Sequence, residues 1–147
     1  MLDFDYRGEY TYFITMSTKN KVQRFCEWVI VAAMIDALKD AADVERFAVD
    51  AYCFMPDHIH LLLRGLNERA VLTRFIGRFK QTGGYWFKKR HGVSLWQVSF
   101  YDHVLRKDEA LRDVALYIFN NPLRKGLVKD FKEYPFSGSF TMDIASL

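Results

Sequence analysis

Apolar and polar residues follow one another along this chain in segments that each fit one kind of element. Tyr10 to Ser17, YTYFITMS, is dense in β-branched and aromatic residues and predicts a first strand, followed by the polar turn Lys19-Asn20-Lys21. From about Val22 to Asp43 the positions Phe25, Val29, Ala32, Ala33, Met34, Ile35 and Leu38 fit a helical stripe loosely, and no glycine or proline breaks the run. ERFAVDAYCFM, residues 45–55, predicts a second strand with Phe47, Val49, Ala51 and Cys53 on one face and Ala48, Tyr52 and Phe54 on the other. Pro56 and Asp57 make a turn, and HIHLLLR, His58 to Arg64, predicts a third strand. So short a connection can only give an antiparallel hairpin.

Leu72, Phe75, Ile76 and Phe79 recur at helical spacing, so a second helix is expected from Val71 to Arg90. Gly83 and Gly84 weaken its middle by roughly 1 kcal/mol each relative to Ala and predict a bend there. SLWQVSFYDHVLR, residues 94–106, predicts a fourth strand, and Asp108 to Asn120 a third helix opened by the acidic DEALRD. The first six elements run strand, helix, strand, strand, helix, strand. That is the order of the ferredoxin-like split βαβ, an α+β fold whose antiparallel sheet carries both helices on one face, here with a further C-terminal helix.

At 147 residues this is expected to be a single domain spanning 1–147, large enough to bury one core without metal or disulfide staples. The longest apolar stretch, Trp28 to Leu38, is too short to span a bilayer and contains Asp36. No secretory signal is evident at the N-terminus, so a cytoplasmic location is expected and no membrane partner. Cys26 and Cys53 sit among apolar neighbours and are expected to be buried, reduced thiols.

Charge is distributed unevenly. From Arg69 to Tyr101 there is no acidic residue, although the chain has 18, and seven Lys or Arg fall there: Arg69, Arg74, Arg78, Lys80, Lys88, Lys89 and Arg90. A one-signed segment of this kind suits a polyanion, with the nucleic-acid backbone the first candidate, though a solvated helix face reads the same way.

Two constellations bear chemistry. On a strand, His58 and His60 project to one side while Ile59 points to the other, a pair able to chelate one metal ion. Strand-end histidines capped by hydrogen bonds give the same pattern, and a zinc site with Cys53 is conceivable although no cysteine pair supports it. In LYIFNNPLRKGLV, residues 116–128, Tyr117 and Asn121 are four apart and share a helix face, and Pro122 is expected to end the helix with the Asn121 amide facing outward. Tyr117 could equally be a core ring with its hydroxyl at the edge.

HIH after a Pro-Asp turn, WQxxFYDHVLR from Trp96 to Arg106, YIFNNPLRKGLV from Tyr117 to Val128 and YPFS from Tyr134 to Ser137 together resemble the small single-strand tyrosine transposases, in particular their repetitive-extragenic-palindrome-associated branch. The resemblance covers about residues 10–139. It implies that His58 and His60 form the HUH motif that binds a divalent ion, Mg²⁺ or Mn²⁺, that Tyr117 is the nucleophile, and that Asn121 is a candidate third ligand. Tyrosine, with a pKa near 10, is a weak nucleophile at neutral pH and needs a phosphate polarised by a cation and held in line. Attack would leave a 5′-phosphotyrosine and a free 3′-hydroxyl, which can later rejoin the strand without ATP.

The implied partner is single-stranded DNA with hairpin structure. Arg74, Arg78, Lys88, Lys89 and Arg90 are candidates to track its phosphates, with Lys19 and Lys21 beside the first strand, and Trp86 and Tyr85 to stack on bases. Asp102 and His103 are expected to serve structural hydrogen bonds. Members of the family work as dimers with swapped helices or as monomers, and both remain open from sequence. The competing readings are a domesticated nucleic-acid-binding module that no longer cleaves, and a small metal hydrolase that has no use for Tyr117.

Overall fold

The computed structural model describes residues 5–106 and 109–147. Five strands, β1 (Thr11–Ser17), β2 (Phe47–Met55), β3 (His58–Gly65), β4 (Tyr101–Val104) and β5 (Ser137–Gly138), form one antiparallel sheet in the order β4-β1-β3-β2-β5. The helices α1 (Trp28–Glu45) and α2 (Leu72–His91) are the two crossovers and pack together on one face. This is the expected ferredoxin-like arrangement, with β5 added at one edge. The shorter α3 (Leu111–Phe119) and the single turn α4 (Asn121–Arg124) lie against the opposite face.

The two faces have separate cores. Tyr12, Ile14 and Met16 of β1 and Ile59, Leu61 and Leu63 of β3 point to α1 and α2, where they meet Met34, Leu38, Phe75 and Phe79. Ala51, Cys53, Met55 and Leu62 point the other way and meet Ala115, Ile118 and Phe119 of α3. The second strand departs from the simple alternation predicted for it. Between Val49 and Ala51 the register with β3 shifts by a bulge, so Phe47 and Val49 serve the α1/α2 core while Ala51 and Cys53 turn to α3. Asp50, the bulged residue, is buried and takes Arg64 through both carboxylate oxygens, at 3.0 and 3.2 Å, and the Thr141 hydroxyl at 2.5 Å.

Three boundaries also differ from expectation. Helix α1 starts at Trp28 rather than near Val22, because the Arg24 and Phe25 amides are committed to the Pro56 carbonyl, at 2.8 and 3.0 Å. Only Tyr101–Val104 of the predicted fourth strand pairs as a strand; Leu95 and Trp96 instead plug the base of the helical layer, with Trp96 against Phe25 and Phe79. Lys80 fixes that segment by donating to the Gln97 and Val98 carbonyls at 2.7 and 3.0 Å. Helix α2 runs through Gly83 and Gly84 as one continuous element. A Cβ on Gly83 would come within 2.7 Å of Met34 Sδ, so the missing side chain serves the close approach of α1 to α2. Asp108, the predicted start of the third helix, lies outside the described residues; α3 begins at Leu111.

Candidate active site

His58 and His60 stand where β3 leaves the Pro56-Asp57 turn, on the face that carries α3. Their rings are 4.8 Å apart between centroids and nearly perpendicular. Each Nδ1 is engaged. His58 Nδ1 is 2.7 Å from Asp57 Oδ1, and His60 Nδ1 is 3.0 Å from the hydroxyl of Thr15, its cross-strand neighbour on β1. A carboxylate only accepts, so the His58 proton belongs on Nδ1 and the lone pair on Nε2. The Thr15 hydroxyl accepts equally well and permits the same tautomer on His60. Burial, then the neighbouring His58, Arg124 and Lys125, push the His60 pKa down to about 4, which keeps that imidazole neutral at physiological pH.

Helix α3 delivers Tyr117 to this pair within one chain. His60 and Tyr117 both contact the Phe13 ring, whose centroid is 5.5 Å from that of His60 and 6.2 Å from that of Tyr117. Tyr117 is 57% exposed, so its ring is held at the sheet surface and is not part of the core. A concave region lined by Phe13, His103, Glu109, Asp113, Val114 and Tyr117 opens beside it. The predicted outward-facing Asn121 is corrected: Pro122 does not end the helical path, α4 continues it for one turn, and Asn121 is 6% exposed. Its Oδ1 is 3.4 Å from Arg124 Nη2, and its Nδ2 is buried without a hydrogen-bond partner among the described residues.

The candidate DNA contacts divide. Arg74, Lys88, Lys89 and Arg90 are exposed along α2, and Tyr85 presents an exposed ring with Lys89 Nζ 5.8 Å from its centroid. Arg78 is engaged instead with Glu45 at 2.7 Å and Asp40 at 3.9 Å. Trp86 is half-buried against the core, its ring covered by the Arg90 guanidinium at 5.1 Å. Lys19 and Lys21 are exposed in the turn after β1, where Asn20 and Lys21 both adopt left-handed backbone (φ 59° and 55°). Lys21 Nζ donates to Ser17 Oγ at 2.9 Å, and Ser17 is the cross-strand partner of His58, so this ammonium stands at the histidine end of the sheet.

Sequence reasoning overlooked Phe13, Thr15, Asp57 and Arg124. Only Asp57, adjacent to His58, carried a readable signal. His103 has the expected structural role, with Nε2 3.1 Å from Glu109 Oε1, and Asp102 interacts with the Tyr6 hydroxyl and pushes its pKa up. Cys53 is a buried free thiol, raised by burial to about 12, whereas Cys26 is exposed, contrary to expectation.

The sequence profile described as "Transposase IS200 like" matches residues 7–121, from the start of the sheet through Asn121. The chain belongs to this transposase family. It is 25% identical over 151 residues to the REP-associated tyrosine transposase of Escherichia coli K12, covering 96% of this chain and 85% of that protein. A Haemophilus influenzae protein provisionally named a REP-associated tyrosine transposase is 27% identical over 155 residues, covering 95% and 87%. The solved structure of a REP-associated tyrosine transposase bound to a REP hairpin superimposes with a TM-score of 0.75 at 22% identity, over 90% of this chain and 78% of that one. The resemblance read from HIH, YIFNNP and YPFS therefore stands, and so does the fold. No helix among the described residues is long and apolar enough to cross a membrane.

Proposed function

We propose that this transposase-family chain cleaves and rejoins single-stranded DNA bearing a hairpin, through a covalent 5′-phosphotyrosine at Tyr117. The observation that carries the reading is that Tyr117 and His60 of one chain both contact the Phe13 ring. A metal hydrolase would not need an exposed tyrosine there. The substrate class rests on the hairpin-bound relative, supported by the exposed cations of α2 and the turn at 19–21.

The residues present fit a divalent cation. Both Nδ1 atoms are occupied by Asp57 and Thr15, an arrangement that orients metal-binding histidines and leaves Nε2 of each for the ion. His60 is held neutral, as a ligand must be. No group of three or more His, Cys, Asp or Glu is placed to hold a metal among the described residues; the third ligand that the family resemblance implies is Asn121, through its Oδ1. When bound by His58, His60 and Asn121, Mg²⁺ or Mn²⁺ would supply Lewis-acid polarisation of the scissile phosphate. The protein's own part is to present the Tyr117 hydroxyl from a fixed helix and to bind the flanking strand on its basic surface. Near-attack placement of this kind accounts for a large share of the rate in phosphoryl transfer.

The test is adduct formation on a denaturing gel with a hairpin-flanked single-stranded oligonucleotide. We expect a DNA-linked species in Mg²⁺ or Mn²⁺ that EDTA prevents and Tyr117→Phe abolishes. Hairpin binding with no adduct under any divalent metal would show a binding module that has lost cleavage.

A further inference from the structure

Arg124 is drawn back over the end of α3. Its backbone amide bonds Asn120 O at 2.9 Å, its Nη2 donates to the Tyr117 carbonyl at 2.7 Å and reaches Asn121 Oδ1 at 3.4 Å, and its Cζ lies 4.0 Å from the centre of the Tyr117 ring. A cation that satisfies a carbonyl at a helix C-terminus is common, and would by itself account for the bond to Tyr117 O. It does not account for the guanidinium lying over the exposed ring of Tyr117, nor for its own exposure to solvent. Of the five N–H donors of an arginine, those on Nε and Nη1 make no hydrogen bond among the described residues. The same charge also acts on His60 and Cys53, so the guanidinium is close to the histidine side of the site.

We propose that Arg124 fixes the attacking pose of Tyr117 and donates from one of its free N–H groups, on Nε or Nη1, to the scissile phosphate. This rests on Tyr117 as nucleophile. In the step, the Tyr117 Oη–phosphorus bond forms and the phosphorus–O3′ bond breaks. The phenol proton leaves to solvent and the departing 3′ oxygen takes up a proton. Arg124 stays charged throughout, and with Nη2 held by the Tyr117 carbonyl it offers a single charge-assisted hydrogen bond to a non-bridging phosphate oxygen as negative charge spreads over the phosphate. Lysine keeps the charge but loses the planar guanidinium that covers the Tyr117 ring while holding the helix end.

The experiment measures single-turnover adduct formation at saturating hairpin oligonucleotide in Mg²⁺, with hairpin affinity and thermal melting determined on the same preparations. Arg124→Ala should slow the adduct on the order of 100-fold, the scale of losing one preorganised donor at a developing charge, with hairpin affinity within about threefold of wild type. Free guanidinium ion at tens of millimolar should restore about tenfold to Arg124→Ala and nothing to Tyr117→Phe. Arg124→Lys, which retains a cation for the helix end, should melt as wild type yet lose about tenfold in rate. An alanine variant within about threefold of wild type, a lost rate that guanidinium does not recover, or a lysine variant at full rate would each overturn the proposal. Absence of an adduct in the wild-type protein is a different failure, that of Tyr117 as nucleophile.

Discussion

Lowering the pH should expose the cost of burying His60 as a neutral ring. Its pKa lies at about 4 in the folded chain against 6.5 when exposed, chiefly because burial penalises the cation and secondarily because His58, Arg124 and Lys125 repel it. At 1.36 kcal/mol per pKa unit this displacement corresponds to about 3 kcal/mol. The sign follows from proton uptake. Above pH 6.5 neither state holds the proton and the full stability is present; between 6.5 and 4 only the unfolded chain binds it, so stability falls; below 4 this contribution levels off. Glu109, whose carboxyl is lowered by the Arg106 amide and His103, begins to lose its contribution only as pH falls through the ordinary carboxylate range. Urea denaturation of the metal-free protein between pH 7.5 and 4.5 should therefore show a decline of about 2 kcal/mol or more that His60→Gln removes, since Gln is neutral throughout and can still meet Thr15. A flat wild-type profile, or an unchanged slope in His60→Gln, would refute the account of a buried neutral imidazole.

Other consequences are more local. Gly65→Ala should destabilise the fold by about 2 kcal/mol in urea denaturation, because the new methyl would run into the Gly8 carbonyl of the backbone; Gly77→Ala, on an open face of α2, should stabilise it by up to about 1 kcal/mol. Replacing both Lys88 and Lys89 by Ala should reduce the salt dependence of hairpin binding by about one to two released counterions, measured as the slope of log affinity against log salt. Arg78→Ala should leave that slope unchanged, since its guanidinium is spent on Glu45 and Asp40.

The elements that were readable were those whose residues satisfy only local needs. Strand β1, the β2–β3 hairpin and the body of α2 follow from alternation, turn chemistry and helical spacing, and with them comes the ferredoxin-like order. What escaped was decided by partners distant in sequence. The start of α1 is set by Pro56, the reduction of residues 94–100 to a single bridge between Trp96 and Thr18 by the hydrophobic plug of Leu95 and Trp96, and the face switch in β2 by an Asp50 that answers to Arg64 and Thr141. The site divides in the same way. His58, His60, Tyr117 and Asn121 stand in recognisable motifs, whereas Thr15 and Phe13 become neighbours of the histidines only through the β1–β3 register. Arg124 reaches Tyr117 because α4 carries the helical path on past Pro122, in a stretch where an early helix stop was the natural reading.

The central claim is that the histidine pair and Tyr117 of the same chain make one site. Mixing Tyr117→Phe with His60→Ala tests it directly, because each variant lacks one half of the machinery. With wild type active and each variant inactive alone, the account predicts that equimolar mixtures, mixed or co-refolded, form no covalent adduct with hairpin DNA. Adduct recovered in the mixture would mean that Tyr117 of one protomer serves the histidines of another, and would contradict it.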